Sequence, residues 1–400
     1  PVSPPNRAPD LSRFLSYVWS MDAREAPAGA PPVERIESAF RVREVRRDGD
    51  AVLYVGQPTA DSDALERDLW PVFREHGYEV SLRRRYEPET GPRVLPGNYV
   101  LVAEPQSVGL DGVPWLNVAL FVLTAVSTLF AGHWWYGIDV SADPAAIVQA
   151  WPFTVAVLGV LGVHELGHYV MSRYHRVSAS LPYFIPFPTI FGTMGAVIKM
   201  RGRIPDRRAL FDIGVAGPLA GLVATGVVTV VGLYMDPVSI PIPESGEAVF
   251  VDFNYPLLLH ALADLTGQPL RYADPSLSVN PVVMGGWIGM FITFLNLLPV
   301  GQLDGGHIVR AILGERTETF SAFVPAGLFG LSGYLFFAQG GRAVFIWFVW
   351  GLFALGLAYA GPTTPVRDEP LDRTRVAVGV LTFALGLACF TPIPLEIVRV

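Results

Sequence analysis

Two hydrophobic rhythms divide the chain near residue 112. Before that point apolar positions recur in short patterns. Ser38–Arg47 and Ala51–Val55 read as two strands joined at Asp48-Gly49-Asp50, a hairpin turn signal. Asp61–His76 carries Leu65, Leu69, Val72 and Phe73 on one helical face, with Gly77 as its stop. Tyr78–Tyr86 and Tyr99–Ala103 complete the pattern as strands. Residues 33–111 are therefore expected to form a small soluble α+β domain without a catalytic constellation of its own. Residues 1–32 hold seven prolines and no sustained period, the pattern of a flexible leader.

Residues 112–400 are a series of long apolar runs. Seven are long enough to cross ~30 Å of hydrocarbon, which takes roughly 20 helical residues: 115–135, 146–172, 209–234, 281–299, 320–338, 343–361 and 374–394. An eighth apolar stretch, Leu181–Ile198, is interrupted by Pro182, Pro186, Pro188, Gly192 and Gly195. It cannot be one continuous helix, and unpaired backbone is not tolerated against lipid. A re-entrant loop or β-hairpin packed on protein is expected there. Tyr255–Leu265 reads as a short interfacial helix. The expected fold is mainly α: a polytopic membrane bundle of about seven spans behind a small α+β domain, with the motif-bearing core over 146–315.

Composition agrees. The chain is 51% hydrophobic and 16% charged, with mean hydropathy +0.39, as in membrane proteins. Charge is concentrated early: residues 1–111 hold 14 Arg and 18 Asp or Glu. The start, Pro1 to Pro9, has no apolar signal core, so the first apolar helix is expected to drive insertion. Residues 173–208 carry Arg173, Arg176, Lys199, Arg201, Arg203, Arg207 and Arg208 against one acid, Asp206, whereas 136–145 and 235–280 are acidic. The positive-inside rule puts the basic loop and the N-terminal domain in the cytoplasm of a multi-pass cell-membrane protein. Cys389 is the sole cysteine, which excludes an intrachain disulfide and any cysteine-based metal site. A metal must rest on imidazole and carboxylate.

The second span ends in His164-Glu165-Leu166-Gly167-His168. Residues four apart share a helical face, so both imidazoles can meet one metal ion, with Glu165 close enough to deprotonate a water there. Ionisable groups inside an apolar helix are costly without partners and mark function by default; the bland alternative is a polar helix–helix contact. A catalytic zinc takes three protein ligands and leaves one position open. By the topology above, His133 and His260 fall on the wrong side, and His175 lies just past the helix among basic residues. Asp304 stands out, at the cytoplasmic end of the fourth span, with Pro299 and Gly301 before it and Gly305-Gly306 after it. The competing role for Asp304 is to cap a short helix over 305–313.

Four blocks, His164-Glu165-Leu166-Gly167-His168, Gly192-Thr193-Met194-Gly195, Ala216-Gly217-Pro218-Leu219-Ala220-Gly221 and Asn296-Leu297-Leu298-Pro299 running into Leu303-Asp304-Gly305-Gly306, occur in order over roughly 150–315. In these the chain resembles the site-2 protease family of intramembrane metalloproteases, in its plastid and prokaryotic branch with an N-terminal soluble domain. The resemblance implies that His164, His168 and Asp304 ligate one zinc ion per chain. It also implies that Glu165 is the catalytic acid/base and that Asn296 positions substrate or stabilises the oxyanion. The expected partners are transmembrane protein substrates and membrane lipid, with no nucleic acid. Gly217, Pro218 and Gly221 are expected to let helices pack closely beside the active helix. His307 is left outside the metal shell, as a substrate, Asp304 or helix-surface contact. A metal-handling transporter also places His and Asp within helices, but has no particular need for Glu165 beside the first histidine. An inactive protease-like scaffold is the other alternative, and the intact motif blocks give it no support.

Overall fold

The computed structural model describes residues 25–59, 61–84, 99–106, 113–200, 203–239, 249–274, 276–340 and 343–399. Most of the expected leader, residues 1–24, lies outside the described residues, and 25–32 are irregular up to a short helix, α1 (Val33–Ile36). The chain divides into two compact units, one ending at Ser107 and one beginning at Val108.

The first unit is a four-stranded antiparallel sheet in the order β1-β2-β4-β3, with β1 Phe40–Asp48, β2 Ala51–Pro58, β3 Tyr78–Arg83 and β4 Tyr99–Pro105. Gly49 turns the first hairpin at φ +58, a conformation that favours glycine. Helix α2 (Ser62–Glu75) starts on Asp61, whose carboxylate accepts the Ala64 amide at 2.8 Å. Its Leu65, Leu69 and Phe73 are buried, and Phe73 meets Tyr54 of the sheet edge-to-face at 5.5 Å. The apolar face read from the sequence is the one that packs.

The second unit is helical. In chain order it holds α3 (Trp115–Trp135), α4 (Trp151–Tyr174), α5 (Arg207–Leu233), α6 (Leu257–Thr266), α7 (Pro281–Asn296), α8 (Asp304–Leu313), α9 (Thr317–Ala338), α10 (Val344–Ala360) and α11 (Arg373–Ala388). Among the described residues, four stretches are long and apolar enough to cross a membrane: Trp115–Trp135, Pro144–Tyr174, Arg207–Leu233 and Asp304–Ala338, the last broken by a short 3₁₀ turn over Gly314–Arg316. Helices α6, α7 and α10 are apolar but shorter. All seven expected spans are therefore helical over most of their length, yet several stop early. Helix α7 ends at Asn296, where Leu297–Pro299 turn away. Helix α11 ends at Ala388 because Pro392 and Pro394 cannot continue it. The chain after it runs into a strand, Leu395–Arg399, paired antiparallel with Val249–Phe253.

Leu181–Ile198 is a β-hairpin, Tyr183–Pro186 paired with Thr193–Val197. Side chains of α3 donate to carbonyls of the hairpin and its lead-in. Asn117 donates to Leu181 at 2.9 Å and Pro182 at 3.0 Å, the Trp135 indole donates to Ile190 at 2.7 Å, and the Ser127 hydroxyl donates to Gly192. This is how irregular backbone survives among apolar helices: it is satisfied by protein. The main core lies between α4, α5 and α7, with Phe153, Val157, Leu161, Val283 and Trp287 buried in it.

Candidate metal centre

Glycine brings α4 and α5 into contact beside the histidines. A Cβ at Gly217 would stand 2.0 Å from His168 Nε2, and one at Gly221 would stand 2.7 Å from His164 Nδ1. A third close approach is at Gly167, whose missing Cβ would lie 2.6 Å from the Ala216 carbonyl oxygen. The glycines of the Ala216–Gly221 block thus leave room for two imidazoles as well as for backbone.

His164, Glu165 and His168 are 4, 6 and 6% exposed. Asp304 is the first residue of α8, and its carboxylate is spent on the imidazoles rather than on a cap. Oδ2 lies 3.2 Å from His164 Nε2, and Oδ1 lies 3.2 Å from His168 Nε2. The two Nε2 atoms are 3.3 Å apart. One ligand atom from each of the three residues falls within 4.8 Å of the others. His168 Nδ1 donates to the Ile213 carbonyl at 2.7 Å, which fixes the tautomer and leaves Nε2 with a lone pair toward the cluster. Asn296 Nδ2 stands 3.4 Å from His164 Nε2. Glu165 faces the Ile198 backbone amide at the end of the hairpin.

These residues fit zinc. Two imidazole nitrogens on a tetrahedral ion, at Zn–N of about 2.05 Å, are separated by about 3.3 Å, the spacing found. A carboxylate and two imidazoles, with no thiolate, are also a donor set that zinc accepts at catalytic sites. Buried lone pairs turned on one another without a cation or proton between them would repel.

The other histidines of the helical unit face elsewhere. His133 is buried and hydrogen-bonded to the Phe130 carbonyl. His260 packs near the Tyr255 ring. His175 Nε2 is 3.0 Å from Asp212 Oδ2. His307 lies on α8 with Nε2 3.1 Å from the Thr363 hydroxyl, outside the ligand cluster. The Ile213 carbonyl is a participant that the sequence did not signal, because a backbone oxygen carries no residue signature.

Residues 152–329 match peptidase family M50. Among curated relatives, the chain is 29% identical over 306 residues to the probable zinc metalloprotease EGY2, chloroplastic, of Arabidopsis thaliana, covering 73% of this chain and 51% of that protein. It is 31% identical over 248 residues to EGY1 of the same plant, covering 61% and 43%. To the probable zinc metallopeptidase EGY3 it is 30% identical over 373 residues, covering 88% and 62%. The chain thus spans about half the length of the curated relatives it matches. The site-2 protease from Methanocaldococcus jannaschii overlaps 64% of this chain and 93% of its own at 21% identity, with a TM-score of 0.27, too loose a superposition to add weight. By this match and these relatives, the chain is similar over its core to peptidase family M50 and to plastid proteins named as probable zinc metalloproteases.

Proposed function

We propose that the chain is an intramembrane zinc metalloprotease that hydrolyses peptide bonds in or beside transmembrane segments of membrane-protein substrates. The observation that carries this assignment is the convergence of His164, His168 and Asp304 from two apolar stretches, with Glu165 one residue from the first ligand. These three side chains hold one zinc ion per chain, which supplies the Lewis acidity that acidifies water and polarises a peptide carbonyl. Glu165 accepts a proton from the attacking water and returns it to the leaving amine. Asn296, beside His164, offers an N–H donor to the charge that develops on the carbonyl oxygen.

A membrane helix hides its carbonyls in its own hydrogen bonds, so the substrate must unwind before attack. The outer edge of Thr193–Val197 is the natural place for the unwound segment to pair, by strand addition. That strand leads into Ile198, whose amide faces Glu165, so pairing there would hold a peptide bond beside the base.

In the membrane the seven apolar helical segments cross, the basic loop 173–208 and the domain 33–111 face the cytoplasm, and 235–280 faces the other side of the cell membrane. Reporter fusions at the two loops should fall on opposite sides. The assignment is tested by metal content: purified chain should hold about one zinc, and Asp304→Ala should retain much less. Full zinc occupancy in Asp304→Ala would remove Asp304 from the ligand set.

A further inference from the structure

The segment that follows α10 lies beyond the matched 152–329, yet it docks against the helices that build the metal centre. Its Val366 amide donates to the Ile204 carbonyl at 2.9 Å, and Arg367 donates to that of Pro205 at 3.0 Å. Asp368 pairs with Arg207. The segment then enters α11, which carries Arg375 in its first turn. The Arg375 guanidinium grips the Asp212 carboxylate with two hydrogen bonds, Nε to Oδ1 at 2.8 Å and Nη2 to Oδ2 at 2.9 Å, while Nη1 is held by Asp372 at 2.6 Å. Paired, planar contacts of this kind fix direction as well as distance.

Asp212 also takes His175, and this places the ion pair in relation to the metal site. His168 lies on α4 and His175 caps its C-terminus seven residues on, about two turns, so they point to nearly the same side. Both bond to consecutive residues of α5: His168 to the Ile213 carbonyl at 2.7 Å, His175 to the Asp212 side chain at 3.0 Å. The zinc helix is thus docked on residues 212–213 at two points, and Arg375 grips the same Asp212 carboxylate that His175 reaches. We infer that Asp212, Arg375 and His175 are positioning residues that hold the Ile213 carbonyl against His168, so that the C-terminal segment of the chain sets the orientation of a metal ligand. The clamp rests on the assignment of His168 to zinc. A partner that orients a ligating imidazole typically controls 10–100-fold of metal affinity.

The test is zinc affinity, measured by competition with a chromophoric chelator on the full chain in detergent, together with the visible spectrum of the cobalt-loaded protein and thermal unfolding. Arg375→Lys keeps the charge but cannot form the paired contact. It and Asp212→Asn should each weaken zinc about 10–100-fold and alter the cobalt bands. His175→Ala leaves Asp212 held by Arg375, so it should fold and weaken zinc several-fold less than Arg375→Lys. Asp368→Asn, which loosens the same segment without touching residues 212–213, should lower thermal stability and leave zinc affinity and the cobalt spectrum unchanged. Wild-type affinity and spectrum in Asp212→Asn and His175→Ala would overturn the clamp, as would an equal loss in Asp368→Asn, the signature of general loosening. A wild-type chain that holds no zinc would instead defeat the metalloprotease assignment itself.

Discussion

Helices α7 and α10 are nearly equal in length and both strongly apolar, but they live in different surroundings. Twelve residues of Pro281–Asn296 are buried against protein, whereas Val344–Ala360 buries Trp347, Gly351 and Ala354 and turns Phe345, Phe348, Leu352, Phe353 and Tyr359 outward. Apolar content does not separate them. The small residues do. A Cβ at Gly285, Gly286 or Gly289 would come within 2.0–2.6 Å of Ala156, Thr229 or Thr225, while on α10 one at Gly351 would meet the Phe329 ring at 2.7 Å and one at Gly356 nothing within 4 Å. Between membrane helices, close approach rather than hydrophobicity selects the neighbour. The metal centre stands on the crowded side of that division, because α4 and α5 must come near enough for Gly217 and Gly221 to leave room for imidazoles.

Substitutions along this division should grade in effect. The largest should be Gly217→Ala, which drives a methyl into the space of His168 Nε2. Zinc should be lost from protein that still inserts and stays helical, as read by metal content beside circular dichroism. A fully metallated Gly217→Ala would show that the imidazole does not sit where the geometry puts it. Gly286→Ala, set against Thr229, should destabilise by about 1–3 kcal/mol, the usual cost of overpacking. Gly356→Ala, with open space around it, should leave stability unchanged or raise it by under about 1 kcal/mol. Equal losses in Gly286→Ala and Gly356→Ala, by thermal or denaturant unfolding in detergent, would erase the contrast between the helices.

How much of this could be read from the chain depended on distance along it. His164 and His168 share one helix, so their spacing alone states that they converge. At Leu181–Ile198 proline and glycine exclude a continuous helix but leave a re-entrant loop and a hairpin open, and the structure has the hairpin; the first hairpin and the strands of the first unit are legible because their turn and alternation are local. Asp304 lies 140 residues from His164 and could be chosen only as a candidate within a recognisable block. Arg375, 163 residues from Asp212, carries no local mark at all. The strand pair of Val249–Phe253 with Leu395–Arg399 was missed for the same reason. Helix ends were over-extended where apolar residues continued past a break, as at Cys389–Pro394, since hydropathy does not register the turn that the prolines impose.

The central claim is that Glu165 moves the proton at a zinc site, and Glu165→Gln tests it most directly. Glutamine keeps the shape and can still hydrogen-bond a water, but it cannot act as a base at neutral pH. Zinc content and cleavage of a membrane-helix substrate should be measured on the same preparation. Glu165→Gln should keep full zinc and intact helicity, with turnover reduced about 10²–10⁴-fold, about 3–5 kcal/mol of barrier. Cleavage by Glu165→Gln near the wild-type rate, with zinc fully bound, would contradict it.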